Sequence, residues 1–307
     1  MNRRVLRLLL AFAFLMPQLL TAQRPGWGGQ LLVPDTTVQF AQRDTLALYM
    51  DVYSPSEGSD TYFNGQEKPT VMFVFGGGFQ HGSRRDMRNV AYYKALCDNG
   101  YRVIAIDYRL GLKGYKAGGA KYIAHLNKAI RMAVEDAFSA TAYVLEHADE
   151  LGTGGSGIVI AGSSAGAVTA LQAEWELCNG HHIASVLPEE FNYVGVMAFS
   201  GAIFSKEGTI RYRKLDPCPH FMCHGTADDI VPYNKIRFLN LNFAGTSTIA
   251  KTFARNDGYC YTVLRFQDRK HEVAGFMTNL MPREIEFLEN SVMSHPESPV
   301  RVDSIEN

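Results

Sequence analysis

Gly157-Ile158-Val159-Ile160-Ala161-Gly162-Ser163-Ser164-Ala165-Gly166 decides the reading of this chain. The short apolar, β-branched run reads as a buried strand, and apolar residues at helical spacing follow it over residues 165–178. Between the two lies Gly162-Ser163-Ser164-Ala165-Gly166, a G-x-S-x-G pentapeptide where the chain must turn sharply from strand to helix. Such a turn holds its serine in strained backbone geometry, and a residue larger than glycine on either side collides with the adjoining strand or helix. Ser164 is therefore the candidate nucleophile, and the following helix directs its positive end at a developing anion.

The same alternation runs outward in both directions. Residues 71–75, 102–106, 157–161, 194–199, 220–223 and 261–266 read as central strands, and 37–41 with 45–53 as an antiparallel pair at one edge. Residues 86–98, 125–150, 165–178, 233–241, 246–256 and 279–292 carry helical spacing. Strands answered one by one by helices give an α/β fold, a mostly parallel central sheet covered by helices on both faces. In such a sheet chemistry collects at the C-terminal strand ends, so the loops after the strands are the place to look for it.

A serine hydroxyl needs a base within hydrogen-bond reach and a third group that fixes the tautomer of the base. After the strand ending at Cys223 comes His224-Gly225-Thr226-Ala227-Asp228-Asp229-Ile230-Val231-Pro232, and after the last strand comes Gln267-Asp268-Arg269-Lys270-His271-Glu272. Asp228 is the candidate acid, with Asp229 as its rival. His271 is the candidate base because it directly follows the final strand, against His81, His125, His181, His182, His220 and His224. Gly76-Gly77-Gly78-Phe79, right after strand 71–75, supplies backbone N–H donors for an oxyanion, and Ala165 adds another. Neither G-x-G-x-x-G nor G-K-[ST] occurs there, which argues against a nucleotide.

These residues resemble the esterase and lipase branch of the α/β-hydrolases, similar to hormone-sensitive-lipase-like enzymes and bacterial carboxylesterases. The resemblance runs from about Leu46 to Met293. It is carried by Val74-Phe75-Gly76-Gly77-Gly78-Phe79, Ala105-Ile106-Asp107-Tyr108-Arg109, the serine pentapeptide, His224-Gly225-Thr226-Ala227-Asp228 with Val231-Pro232, and His271-Glu272. It implies an α/β-hydrolase fold, a triad of Ser164, Asp228 and His271 in that chain order, and oxyanion donors at Gly77, Gly78 and Ala165. One departure is Phe75, where the hormone-sensitive-lipase-like pattern has histidine before the glycines. The resemblance further implies a two-step acyl transfer on an ester, with no metal or cofactor, on acetyl or feruloyl groups of plant polysaccharides. A serine peptidase of the same fold and an inactive carbohydrate-binding or adhesion module stay open as alternatives.

Composition bounds the rest. At 46% hydrophobic residues the chain can bury a full core, and no linker splits it, so residues 23–307 read as one catalytic domain. Arg3-Arg4 followed by apolar Leu8 to Leu15, then Pro17 and Thr21-Ala22, reads as a signal peptide over residues 1–22, cleaved after Ala22. That placement implies a secreted or periplasmic protein with no stable membrane anchor after cleavage. Losing three arginines takes the formal net charge from −1 to −4, and no run of basic residues marks a nucleic-acid partner. The partner expected is a small-molecule or saccharide ester. Cys218 and Cys223 could close a small loop, but five cysteines leave at least one thiol free, and none has the spacing of a zinc site. Residues 113–122 and 178–193 read as rims of the site, with Phe79, Tyr115 and Tyr193 as candidate lining for an aromatic acyl group.

Overall fold

A computed structural model describes residues 32–306 except 117, 154–156, 239–240, 295 and 297. The expected signal peptide lies outside the described residues. In chain order the strands are β1 (Thr36–Arg43), β2 (Leu46–Tyr53), β3 (Tyr62–Phe63), β4 (Gln66–Glu67), β5 (Thr70–Val74), β6 (Val103–Ile106) and β7 (Ile158–Ser163). They continue as β8 (Gly195–Phe199), β9 (Ala202–Ser205), β10 (His220–Gly225), β11 (Lys235–Phe238), β12 (Leu241–Gly245), β13 (Tyr261–Phe266) and β14 (Arg301–Glu306). The helices are α1 (Met87–Asp98), α2 (Ala120–Glu146), α3 (Ala148–Leu151), α4 (Ala165–Cys178), α5 (Thr246–Phe253) and α6 (Met281–Phe287).

Every residue of β5, β6, β7, β8 and β10 is buried, which only a sheet covered on both faces permits. Among the described residues the main sheet has nine strands in the order β1-β2-β6-β5-β7-β8-β10-β13-β14. β1 and β2 pair antiparallel, as does β2 with β6, and every pairing from β6 to β14 is parallel. The α/β sheet with an antiparallel edge expected from the sequence is therefore present. On one layer α2 packs against α4. In the other, the Tyr92 hydroxyl of α1 donates to Glu284 Oε2 of α6 at 2.6 Å.

Helix ends follow local chemistry. Asp86 caps α1 by accepting from the Arg88 N–H at 3.0 Å. Helix 125–150 starts earlier than its apolar spacing suggested and breaks at His147 into α2 and α3. Asp136, fully buried on α2, accepts from Arg43 Nε at 3.1 Å and from Arg109 Nε at 2.9 Å, fastening the helix to β1 and to the loop after β6.

Two local expectations need correction. Residues 233–241 do not form a helix: β11 pairs antiparallel with β12, which pairs antiparallel with β9 in a separate small sheet. Backbone pairing with a neighbour overrides a short helical spacing, which costs little to break in a segment this size. β14 was not expected, because its alternately exposed side chains carry little apolar signal; it is held by its ladder to β13 and by Arg265 Nε against Asp303 Oδ1 at 2.5 Å. The cysteines agree with the sequence reading rather than correcting it: Cys218 and Cys223 do not form the small loop that was open to them, and all five cysteines are free thiols.

Glu284 is fully buried and its Oε1 has no hydrogen-bond partner among the described residues. Burial pushes its carboxyl well above the usual range, against a smaller lowering by the Tyr92 hydrogen bond. The folded protein thus holds a proton that the unfolded chain releases near pH ~4.3, so stability is full below that pH and falls as pH rises toward the folded pKa. Glu284→Gln removes this proton uptake. The thermal midpoint of the variant, relative to wild type, is expected to improve as pH rises above the usual carboxylate range; a margin independent of pH would refute the protonated state.

Candidate active site

The turn after β7 is built by backbone contact. A Cβ on Gly162 would stand 2.4 Å from the Gly166 carbonyl, and one on Gly166 would stand 1.9 Å from the Val74 carbonyl. Only glycine lets α4 start this close to β5 and β7. Ser164, between them, is forced to φ 53° and ψ −116°, while its N–H donates to the Phe199 carbonyl at 2.8 Å. A serine preceding a helix ordinarily caps it with its own hydroxyl; Ser164 Oγ does not. It lies instead 2.7 Å from His271 Nε2.

His271 opens a short 3₁₀ turn, His271–Gly275, just beyond β13. Two attachments place it. Ser163 Oγ donates to the Ala274 carbonyl at 2.7 Å, and the loop after β10 lies so close that a Cβ on Gly225 would meet the Lys270 carbonyl at 2.2 Å. The two loops are stitched by Thr226 N–H to Phe266 O at 2.9 Å and Ala227 N–H to Arg269 O at 2.9 Å. As a result His271 Nδ1 lies 2.8 Å from Asp228 Oδ2, and the described residues contain the continuous series Ser164, His271, Asp228.

The Asp228 side chain is inaccessible to solvent. Burial alone would raise its pKa, but hydrogen bonds from His224 and His271 outweigh it and hold the carboxyl well below the usual range. Its Oδ1 also accepts the N–H groups of Ile230 at 2.9 Å and Val231 at 3.0 Å. Asp229 faces outward, 63% exposed and 3.7 Å from Lys270 Nζ. Among the other histidines, His125 stacks on Tyr115, His181 pairs with Glu176, and His220 is buried in β10 with its pKa lowered to about 4 by burial.

Gly77 (φ 121°) and Gly78 (φ 63°) adopt the left-handed backbone that glycine tolerates. The Gly77 carbonyl accepts from the Gln80 and His81 N–H groups at 3.1 and 3.2 Å. Across a trans peptide N–H and C=O point in opposite directions, so the Gly78 N–H is turned away from that loop interior. The loop lies against the serine, since a Cβ on Gly76 would come within 3.3 Å of Ser164 Cβ. Ala165 is the first residue of α4, where backbone N–H groups have no intrahelical acceptor.

Neighbours of this loop went unassigned from the sequence. Arg84 Nη1 lies 2.5 Å from Asp107 Oδ2, Arg85 makes a two-pronged contact of 2.7 and 2.8 Å with buried Asp51, and the Tyr108 hydroxyl donates to the Phe75 carbonyl at 2.9 Å. Phe75 stacks on Tyr108 with ring centres 4.4 Å apart, so the position that departs from the related pattern is a packed wall. Phe79 and Tyr193 are buried packing residues, Tyr193 bonded to Thr141 at 2.8 Å, which removes both from the expected lining. His224 was weighed only as a rival base; its spacing of four residues before Asp228 was the available signal for its place beside the acid.

The described residues contain no group of three or more histidine, cysteine or acidic side chains able to hold a metal, and no helix long and apolar enough to cross a membrane.

The fold is the α/β-hydrolase fold. Solved structures agree in fold: apo esterase 2 of Thermogutta terrifontis superposes with a TM-score of 0.59 at 19% identity, over 88% of this chain and 99% of that one. The form of that protein phosphorylated by paraoxon gives 0.58 at 19% identity over 89% and 100%, and the propionate-bound form 0.55 at 21% over 86% and 96%. The BD-FAE family model matches residues 50–179, a span that holds the glycine loop and Ser164 but ends before Asp228 and His271. Among curated proteins, 79 residues are 35% identical to the non-reducing polyketide synthase nvfA of Aspergillus novofumigatus, covering 26% of this chain. A further 74 residues' match, 39% identical, is to the non-reducing polyketide synthase mapC' of Penicillium brevicompactum, over 24% of this chain. The chain spans only 3% of the length of each of these synthases.

The close approach at Gly166 sets a test. Gly166→Ala is expected to cost about 3 kcal/mol or more, because the added methyl meets backbone that cannot retreat. A urea midpoint equal to that of wild type would show that the turn has room.

Proposed function

We propose that this chain is a serine carboxylic-ester hydrolase, with Ser164 as nucleophile, His271 as general base and Asp228 as the acid that orients it. The observation that carries the reading is the relay from Ser164 Oγ through His271 (2.7 Å) to Asp228 (2.8 Å), with the serine at a strained turn and its hydroxyl left free of capping. The paraoxon-phosphorylated and propionate-bound states of esterase 2 support the same chemistry on a shared fold.

In this mechanism His271 Nε2 takes the Ser164 proton as Oγ bonds to the ester carbonyl carbon. The backbone N–H groups of Gly77, Gly78 and Ala165 receive the negative oxygen. His271 then returns the proton to the departing alcohol oxygen, leaving an acyl group on Ser164. Water, deprotonated by the same nitrogen, releases the carboxylic acid and restores the serine. Asp228 keeps the proton of the neutral ring on Nδ1, so that Nε2 is the free base facing the serine. For the substrate we adopt acetyl or feruloyl esters of plant polysaccharide, and for the place of action the outside of the cell or the periplasm. These follow from the family resemblance and the basic-apolar start of the chain.

Purified protein is expected to hydrolyse p-nitrophenyl acetate, methyl ferulate or acetylated xylan, and Ser164→Ala to abolish that turnover while remaining folded. Paraoxon is expected to leave a diethylphosphoryl group on the peptide that contains Ser164; labelling elsewhere, or undiminished turnover by the variant, would sink the assignment. Asp228→Asn is expected to lower kcat about 10³-fold or more by favouring the wrong tautomer, with KM little changed. A loss below about tenfold would make Asp228 a structural residue only.

A further inference from the structure

Asp228 faces two imidazoles. Besides His271, the ring of His224 is fully buried on β10, with Nε2 3.1 Å from Asp228 Oδ2 and 3.1 Å from the Val231 carbonyl. Its Nδ1 lies 2.9 Å from Thr246 Oγ1, the first residue of α5. Both acceptors at Nε2 are oxygens without protons, so Nε2 carries a hydrogen and forks it between them. Thr246 has a hydroxyl hydrogen to give, so Nδ1 is the acceptor. A neutral ring satisfies all of these contacts.

We infer that His224 is a positioning residue for the base: a neutral ring protonated on Nε2 that shares Asp228 Oδ2 with His271. This rests on the reading of His271 as the base for Ser164. Two consequences follow from a shared acceptor. Oδ2 is held on the side of His224 as well as of His271, which fixes the carboxylate and therefore the tilt of the catalytic ring. The N–H of His224 also draws off part of the charge on Oδ2 that would otherwise stabilise imidazolium at His271.

The surrounding groups leave His224 its role. Tyr233 stands edge-on to the His224 ring at 5.7 Å, and its hydroxyl is engaged by Arg265, which pairs with Asp303. On the outer side Lys270 Nζ lies 3.7 Å from Asp229, and Glu272 accepts the Lys270 N–H at 3.1 Å. Among the described residues, these contacts place Asp228, Asp229, Lys270, Glu272, Tyr233, Arg265 and Asp303 as charged or titratable groups around the two rings.

The test uses the whole protein with nitrogen-15-labelled histidine, and three variants. His224→Gln places an amide N–H where Nε2 stood; His224→Asn reaches only as far as Nδ1; His224→Leu has no donor. The wild-type His224 ring is expected to show its proton on Nε2 and a bare Nδ1 near pH ~7. The His271 titration is expected to move to higher pH in His224→Leu and His224→Asn and to return in His224→Gln. In ester hydrolysis the acid limb of kcat/KM should move with it, kcat falling about tenfold or more at unchanged KM. A proton on Nδ1, an imidazolium at neutral pH, or a His271 titration indifferent to the variant overturns the inference. If His224→Leu does not fold, the asparagine and glutamine variants and the wild-type ring decide it. Wild-type protein that hydrolyses no ester would overturn the acyl-transfer reading alone, since the His271 titration is read without turnover.

Discussion

A Cβ on Gly166 would stand 1.9 Å from the Val74 carbonyl, and the site depends on that lack of space. The approach draws the first turn of α4 against the end of β5, which forces Ser164 to positive φ and lifts its side chain out of the capping position. The same approach brings the glycine loop after β5 alongside the serine. Strain at one residue is tolerable because the strands on both sides are fully buried and paired, so the surrounding structure over-determines the turn.

The remaining parts of the site arrive from strands separated from Ser164 by long stretches of sequence. β8, β10 and β13 lie in order beside β7, all parallel, so their C-terminal ends fall along one edge and deliver Asp228 and His271 to the same place. Parallel strands alone do not set distances of 2.7 and 2.8 Å. The finer placement comes from loop-to-loop contacts: Ser163 on the Ala274 carbonyl, Gly225 against the Lys270 carbonyl, and the backbone hydrogen bonds between residues 226–227 and the segment before His271. The first serine of the pentapeptide pair, Ser163, is thus a fastener for the loop of the base.

Charge is arranged to the same end. Asp228 sits in a place where burial alone would neutralise it, yet two backbone N–H groups and two histidines surround it and keep it ionised. Elsewhere buried carboxyls follow the opposite logic. Glu284 has a single donor, Tyr92, and burial wins, so its carboxyl is pushed up. The number of donors around each group, rather than depth of burial, separates these two acids.

The sequence by itself determined the alternation of strand and helix, the turn at Ser164, and the order serine, aspartate, histidine after successive strands. Those features are local: glycine at a crowded turn, apolar runs buried on both faces, and polar residues at strand ends are written in neighbouring positions. The structure set Asp228 beside His271 and left Asp229 in solvent, a choice that two adjacent aspartates do not disclose. It also turned residues 233–241 into a hairpin arm, added β14, took Phe79 and Tyr193 out of the expected lining, and brought His224 to the far side of the acid. Each of these depends on partners tens of residues away, through strand pairing, side-chain packing or a shared hydrogen-bond acceptor, and such pairings exist only once the chain has closed on itself.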